Sequence, residues 1–299
     1  IADRMGVDRS TVSKVLGGTY EAQDMTAMLE RIRAFRLSVE GPTGISAVIG
    51  FRLTRTAQAI FDAYDLALAR GEMVVLVGEG GEGKTQAFRE IVRRAPKKKE
   101  PPPVYIACNV FTSAYALALR IAKELCVRRA ETAEGTMVHV ADHLRYAPRP
   151  LIIDEVNYLQ RKAVDALRWI RDETGIGILM AGNTSLNGVA AGSARAGLLF
   201  DILTHQPGLE PFVSRARILE MPGILRDEVE AIATDVLGPF ADQGMERLAE
   251  RVGRSMRILA RLIEDIRELH TGQRGPIGAA MVDQAWQNLY GRRGVRRGA

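Results

Sequence analysis

The chain has 299 residues, 46% of them hydrophobic and 26% charged, with a formal net charge of +5. That is about two domains' length at roughly 100–200 residues each, with ordinary globular composition, and it excludes wholesale disorder, collagen-like rods and coiled-coil rods. No apolar stretch approaches the ~18 uninterrupted residues of a membrane span, and no signal peptide is recognisable. The mild positive charge is compatible with a polyanionic partner without demanding one.

Because the first residue is Ile1, the natural N-terminus is expected upstream. Residues 1–40 read as short helical pieces broken at Gly6 and at Gly17-Gly18. Ala2, Gly6 and Val12 keep helix-turn-helix offsets, a small residue, a glycine four later and an apolar residue six after that. Ser10 would then cap a recognition helix over 11–16, with Arg9, Thr11, Ser13 and Lys14 facing DNA. A support helix is expected over 24–37. Gly41, Pro42 and Gly44 suggest a linker at 41–47.

Residues 48–221 alternate apolar runs with helical patterns, the signature of a parallel sheet with helices on both faces. The expected strands are 73–77, 104–107, 151–154, 176–181 and 217–220. Lys97-Lys98-Lys99 and Pro101-Pro102-Pro103 read as an exposed, stiff basic loop, and 184–197 as a mobile one. From Pro222 no strand pattern survives, and helices are expected at 226–237, 244–252, 255–270 and 279–290. In the third, Met256, Leu259, Ile263, Ile266 and Leu269 share one face. Residues 222–290 thus read as a small helical domain and 291–299 as a basic tail. Cys108 and Cys126 have no metal-ligand spacing and point to a reducing, cytoplasmic compartment.

Gly78-Glu79-Gly80-Gly81-Glu82-Gly83-Lys84-Thr85 fits the phosphate-loop pattern, between an apolar run and a helix. Its glycines let backbone N–H groups converge on phosphate oxygens, and the helix N-terminus adds positive potential. Lys84 supplies a point charge to the β/γ-phosphates and the Thr85 hydroxyl a ligand for Mg²⁺. The run Leu151-Ile152-Ile153 ends in Asp154 and Glu155, two carboxylates at the carboxyl edge of a parallel sheet. There Asp154 would hold Mg²⁺ and Glu155 would activate water. Asn183 ends the next apolar run and could orient that water.

These residues resemble those of AAA+ ATPases, a class with a phosphate-loop α/β core and a helical lid. The resemblance implies ATP and Mg²⁺ as cofactors and self-association into a ring or filament. It implies an arginine finger before the fifth strand, which acts on a neighbouring subunit's nucleotide. Arg215 is the first choice and Arg217 the second. It also implies a lid arginine shortly after a glycine at the start of a lid helix, here in Gly253-Arg254-Ser255-Met256-Arg257, assigning Arg257 to ATP of the same subunit.

A helix-turn-helix joined to a compact AAA+ core resembles the B-type transposition proteins of phage Mu and related transposons. In that family an ATP-bound oligomer coats target DNA and recruits and activates a transposase, so duplex DNA and a transposase are the implied partners. The contacts themselves follow from charge alone: Arg161 and Lys162, opening a helix, and Arg195, in the 184–197 loop. A helicase loader shares the core, and a nucleotide-gated signalling switch remains the other alternative. Such switches usually carry long repeat arrays after the lid, and the helix-turn-helix disfavours a loader. A small-molecule kinase does not need the water-activating glutamate.

Overall fold

The structure, a computed structural model, describes residues 10, 14, 49–95, 102–183, 214–272 and 275–291. The expected helix-turn-helix, of which only Ser10 and Lys14 are described, lies outside these residues, as do the 41–47 linker, Arg195 with its loop, and the basic tail.

Five parallel strands form one sheet: β1 (Met73–Gly78), β2 (Val104–Ala107), β3 (Leu151–Asp154), β4 (Ile178–Asn183) and β5 (Ala216–Glu220), in the order β2-β3-β4-β1-β5. All six residues of β1 are buried, as strands covered on both faces must be. Their side chains alternate between two cores. Met73, Val75, Val77, Ile153, Ile178 and Met180 face one; Val74, Leu76, Ile152, Leu179 and Ala181 face the other. The first is closed by α3 (Ala114–Leu125), α4 (Ala133–Tyr146) and α5 (Arg161–Thr174), through residues such as Ile121, Leu144 and Leu167. The second is closed by α1 (Arg55–Arg70) and α2 (Lys84–Arg94), through Ile60, Tyr64 and Phe88. Each fully buried Leu or Ile contributes roughly 1.5–3 kcal/mol.

Four further helices, α6 (Arg226–Leu237), α7 (Asp242–Val252), α8 (Met256–His270) and α9 (Ala279–Tyr290), enclose a third core around Leu248, Leu259, Ile263 and Val282. Ser255 caps α8, its hydroxyl accepting from the Ile258 N–H.

Glu228 joins this lid to the α/β body. One carboxylate oxygen accepts from Leu225 N at 2.9 Å, at the start of α6, and the other from Arg55 N at 2.6 Å, at the start of α1. Arg55 also pairs with Asp227 at 2.7 Å, and Thr56 Oγ1 donates to Gly223 O.

Three expectations need correction. β4 runs two residues later than expected, ending at Asn183 rather than at Ala181. The 244–252 helix starts at Asp242. Pro102-Pro103 is not an exposed loop: Pro103 is buried, and the buried Arg149 donates to Pro102 O at 2.8 Å, because the segment leads directly into β2. Among the described residues no helix is long and apolar enough to cross a membrane.

Candidate active site

Strand register assembles the site. Gly78, where β1 turns into the glycine-rich loop, is level with Asn183 of β4, and β3 lies on the far side of β4. The carboxyl ends of β1, β3 and β4 therefore deliver the loop, Asp154-Glu155 and Asn183 to one edge, where open parallel sheets bind ligands. Gly81 and Gly83 take φ of +97° and +97°, which glycine adopts without strain, and Gly83 caps α2 so that Lys84 and Thr85 begin it.

Lys84 is 7% exposed, and its Nζ donates to Glu79 O at 2.7 Å and lies 3.4 Å from Asn183 Oδ1. Burial pushes its ammonium below the usual lysine value, against the carboxylates of Glu82, Glu155 and Asp154. The Thr85 hydroxyl donates to Asp154 Oδ2 at 2.8 Å. Tyr105 of β2 donates to the same oxygen at 3.0 Å, and the Glu155 N–H donates to Oδ1 at 3.0 Å. Asp154 is thus held at both oxygens. Glu155 adopts φ +57°, a left-handed conformation that costs a non-glycine residue energy and gathers at functional sites. It turns the chain from β3 into the 3-10 turn Val156–Tyr158 and lets the side chain line the cleft. Burial, with the adjacent Asp154 carboxylate, raises the Glu155 carboxyl above its usual value. Asn157 hydrogen-bonds that carboxylate, and its Oδ1 accepts from Asn183 N at 3.1 Å.

The cleft is about 430 Å³ and includes Lys84, Thr85, Glu155, Asn183 and, from the lid, Arg257. Arg257 N donates to Gly81 O at 3.2 Å. Arg254 does not line the cleft; it reaches Met221 O at 2.5 Å. Ile49, Phe51, Met256 and Ala260 add apolar side chains to the lining of the cleft.

Arg215 and Arg217 lie elsewhere. Ala216 is level with Met73, at the start of β1, so about 16 Å of strand separates these arginines from the loop at roughly 3.3 Å per residue. Arg215 lies 3.6 Å from Asp172 and Arg217 3.3 Å from Glu72. Arg161 and Lys162 open α5 on the surface, Arg161 3.9 Å from Asp165. Lys14 is helical and exposed; Arg9, Thr11 and Ser13 fall outside the described residues.

Tyr105, Asn157 and the apolar lining carry no sequence motif, and the lid motif that contains Arg254 gave that residue no role. Asn157 follows Asp154 by three residues, so its nearness to the acidic pair is visible in the sequence. That of Tyr105 is not, since nothing in the run of β2 marks it.

Residues 69–189 match a family model described as an AAA domain. The strand order, the loop and the acidic strand end that it shares a sheet edge with are those of an AAA+ ATPase. The "Mu-like prophage FluMu DNA transposition protein B" of Haemophilus influenzae is 27% identical over 192 residues, 61% of this chain and 63% of that protein. The match therefore spans less than two thirds of that relative. Cdc6p from Pyrobaculum aerophilum has the same fold, with a TM-score of 0.58 and 16% identity over 84% of this chain and 70% of that one. Domain III of the Thermotoga maritima replication initiation protein DnaA gives 0.48 and 14%, over 80% and 94%.

Proposed function

We propose that this protein binds and hydrolyses ATP, self-associates, and binds duplex DNA in its ATP state to direct a transposase. What carries the first half is the convergence of Lys84, the Thr85–Asp154 pair, Glu155, Asn183 and Arg257 on one cleft. What supports the second is the sequence relationship to a protein named for DNA transposition.

In the bound state Lys84 Nζ exchanges Glu79 O and Asn183 Oδ1 for phosphate oxygens. Asn183, released, orients water, and Glu155 takes its proton. Thr85 and Asp154 are hard oxygen donors side by side and fit Mg²⁺, which prefers one or two carboxylates plus substrate phosphates; bound there, the ion neutralises charge on the phosphate oxygens. Arg257 reaches over from the lid. Arg215, or Arg217, is too far along the sheet to serve its own loop and acts on a neighbouring subunit's nucleotide.

Tyr105 then holds Asp154 ready for the metal. Tyr105→Phe raises the Mg²⁺ concentration needed for half-maximal hydrolysis by on the order of tenfold, as loss of an outer-shell partner does, with kcat at saturating Mg²⁺ nearly unchanged. A Mg²⁺ titration of ATPase rate checks this, and an unaltered midpoint removes the role.

The DNA half is tested by salt titrations of duplex binding with ATP, with ADP and without nucleotide. Affinity is expected to need ATP, to ignore sequence, and to fall with a slope of about −0.9 in log K against log salt per phosphate neutralised. Arg161→Ala with Lys162→Ala reduces both affinity and slope, by about one slope unit for each phosphate no longer neutralised. Removing 1–40 weakens binding less, because a filament sums its hold on DNA over many subunits. Equal affinity in all three nucleotide states overturns the transposition reading in favour of a signalling switch or replication helper.

A further inference from the structure

Inside the phosphate loop one side chain lacks the partners its burial calls for. The Glu82 side chain is fully buried, and among the described residues no side chain hydrogen-bonds to its carboxylate, the backbone of Glu79 being the hydrogen-bonding group nearest it. Leaving a buried carboxylate so placed is costly unless a charge answers it. Two cations stand near: Lys84 Nζ at 3.9 Å and Arg254 Nη2 at 3.5 Å. The carboxylate is tucked beneath the loop so closely that a Cβ on Gly78 would sit 2.1 Å from Glu82 Oε2. Gly78 is therefore glycine for the sake of Glu82 as well as the turn.

Arg254 belongs to the lid, in the turn before α8. Besides Glu82 it holds Met221 O, just after β5, and its own carbonyl accepts from Ile224 N. The lid meets the loop at Gly81 too, where Arg257 N donates to the carbonyl and a Cβ would lie 2.5 Å from Ser255 Oγ.

We propose that the Glu82–Arg254 ion pair is a latch that lets the lid sense whether the phosphate loop is occupied. The proposal rests on the assignment of this cleft to ATP. In the empty site Glu82 is shared between Lys84 and Arg254. When Lys84 turns to the incoming phosphates, Glu82 is left to Arg254 alone, the pair tightens, and the first turn of α8 is drawn onto Gly81. Arg254 is thereby kept away from the nucleotide, which leaves Arg257 as the lid arginine that reaches it. Glu82 and Arg254 are positioning residues; neither touches the reacting atoms.

The test is a double-mutant cycle with Glu82→Gln and Arg254→Gln on the full chain. It is read by titration with a fluorescent ATP analogue, by steady-state ATPase and by amide exchange of residues 254–260. Each single change is expected to weaken ATP about tenfold, the double change no more than either alone, as for residues acting as one pair. KM for ATP rises while kcat changes little, and the extra exchange protection that ATP confers on 254–260 disappears in both. Additive losses, or ATP-induced protection that survives in either single variant, overturn the latch. Arg254→Gln lies outside the loop and keeps the test intact should Glu82→Gln disturb loop folding. Wild-type protein and Lys84→Ala run alongside: if the wild type binds no ATP, the site assignment itself fails and the latch with it. If the wild type binds and Lys84→Ala does not, additivity condemns the latch alone.

Discussion

Glu155→Gln binds ATP as the wild type does and hydrolyses it about 10²- to 10⁴-fold more slowly, the range of a positioned general base. The amide is isosteric and keeps a hydrogen-bonding link to Asn157, which in the wild type binds the carboxylate and ties it to the end of β4. Geometry is therefore preserved while the proton acceptor is lost. The backbone that aims the residue, with φ +57°, does not depend on the carboxylate either. ATP should remain on the protein, and the assembled, DNA-binding state should outlast that of the wild type. Single-turnover hydrolysis and filter binding of radiolabelled ATP separate the two steps. Hydrolysis at the normal rate would show that another group takes the proton.

Lys84→Ala loses most of its affinity for ATP. Truncating one member of a buried charge pair costs about 2–5 kcal/mol, a loss of roughly 30- to several thousand-fold in affinity at 1.4 kcal/mol per decade. Here the loss falls at the upper end, because Lys84 also screens the phosphates from a carboxylate. With Lys84 gone, Glu82 remains beneath the loop with Arg254 as its nearest cation, and the phosphates must approach it. Titration with a fluorescent ATP analogue gives the answer directly, and binding within an order of magnitude of wild type would place the phosphates elsewhere.

Much of the site was legible because it is written in short contiguous words. Gly78–Thr85 follows β1 and opens α2, and Leu151–Asp154 is a strand with the boundaries the apolar run predicts. The α6 and α9 boundaries were likewise readable from helical periodicity. What was not legible acts across the sheet. Tyr105 reaches Asp154 because β2 lies beside β3, with Tyr105 level with Ile152, and nothing local to β2 announces that pairing. Glu82 reads in sequence as one more member of the nucleotide-binding loop; that its side chain is buried near Arg254, 172 positions away, is written in nothing local to it. The strand that carries Asn183 was expected at 176–181, because Ile176 and Gly177 extend the apolar run backwards beyond the residues that pair with β1.

The two oxygens of Glu228 bear on how divisible the molecule is. They satisfy the opening amides of α1 and α6, helices that start more than 170 residues apart. A change in composition near residue 221 marks where strands stop, yet it is not a seam. A fragment ending there would hand the opening amide of α1 to water and leave the buried Thr56 hydroxyl without its Gly223 acceptor. The body and lid are thus one unit of manufacture. Grafting the lid of another such protein onto this body would need an acid at the Glu228 position before any question of catalysis arose.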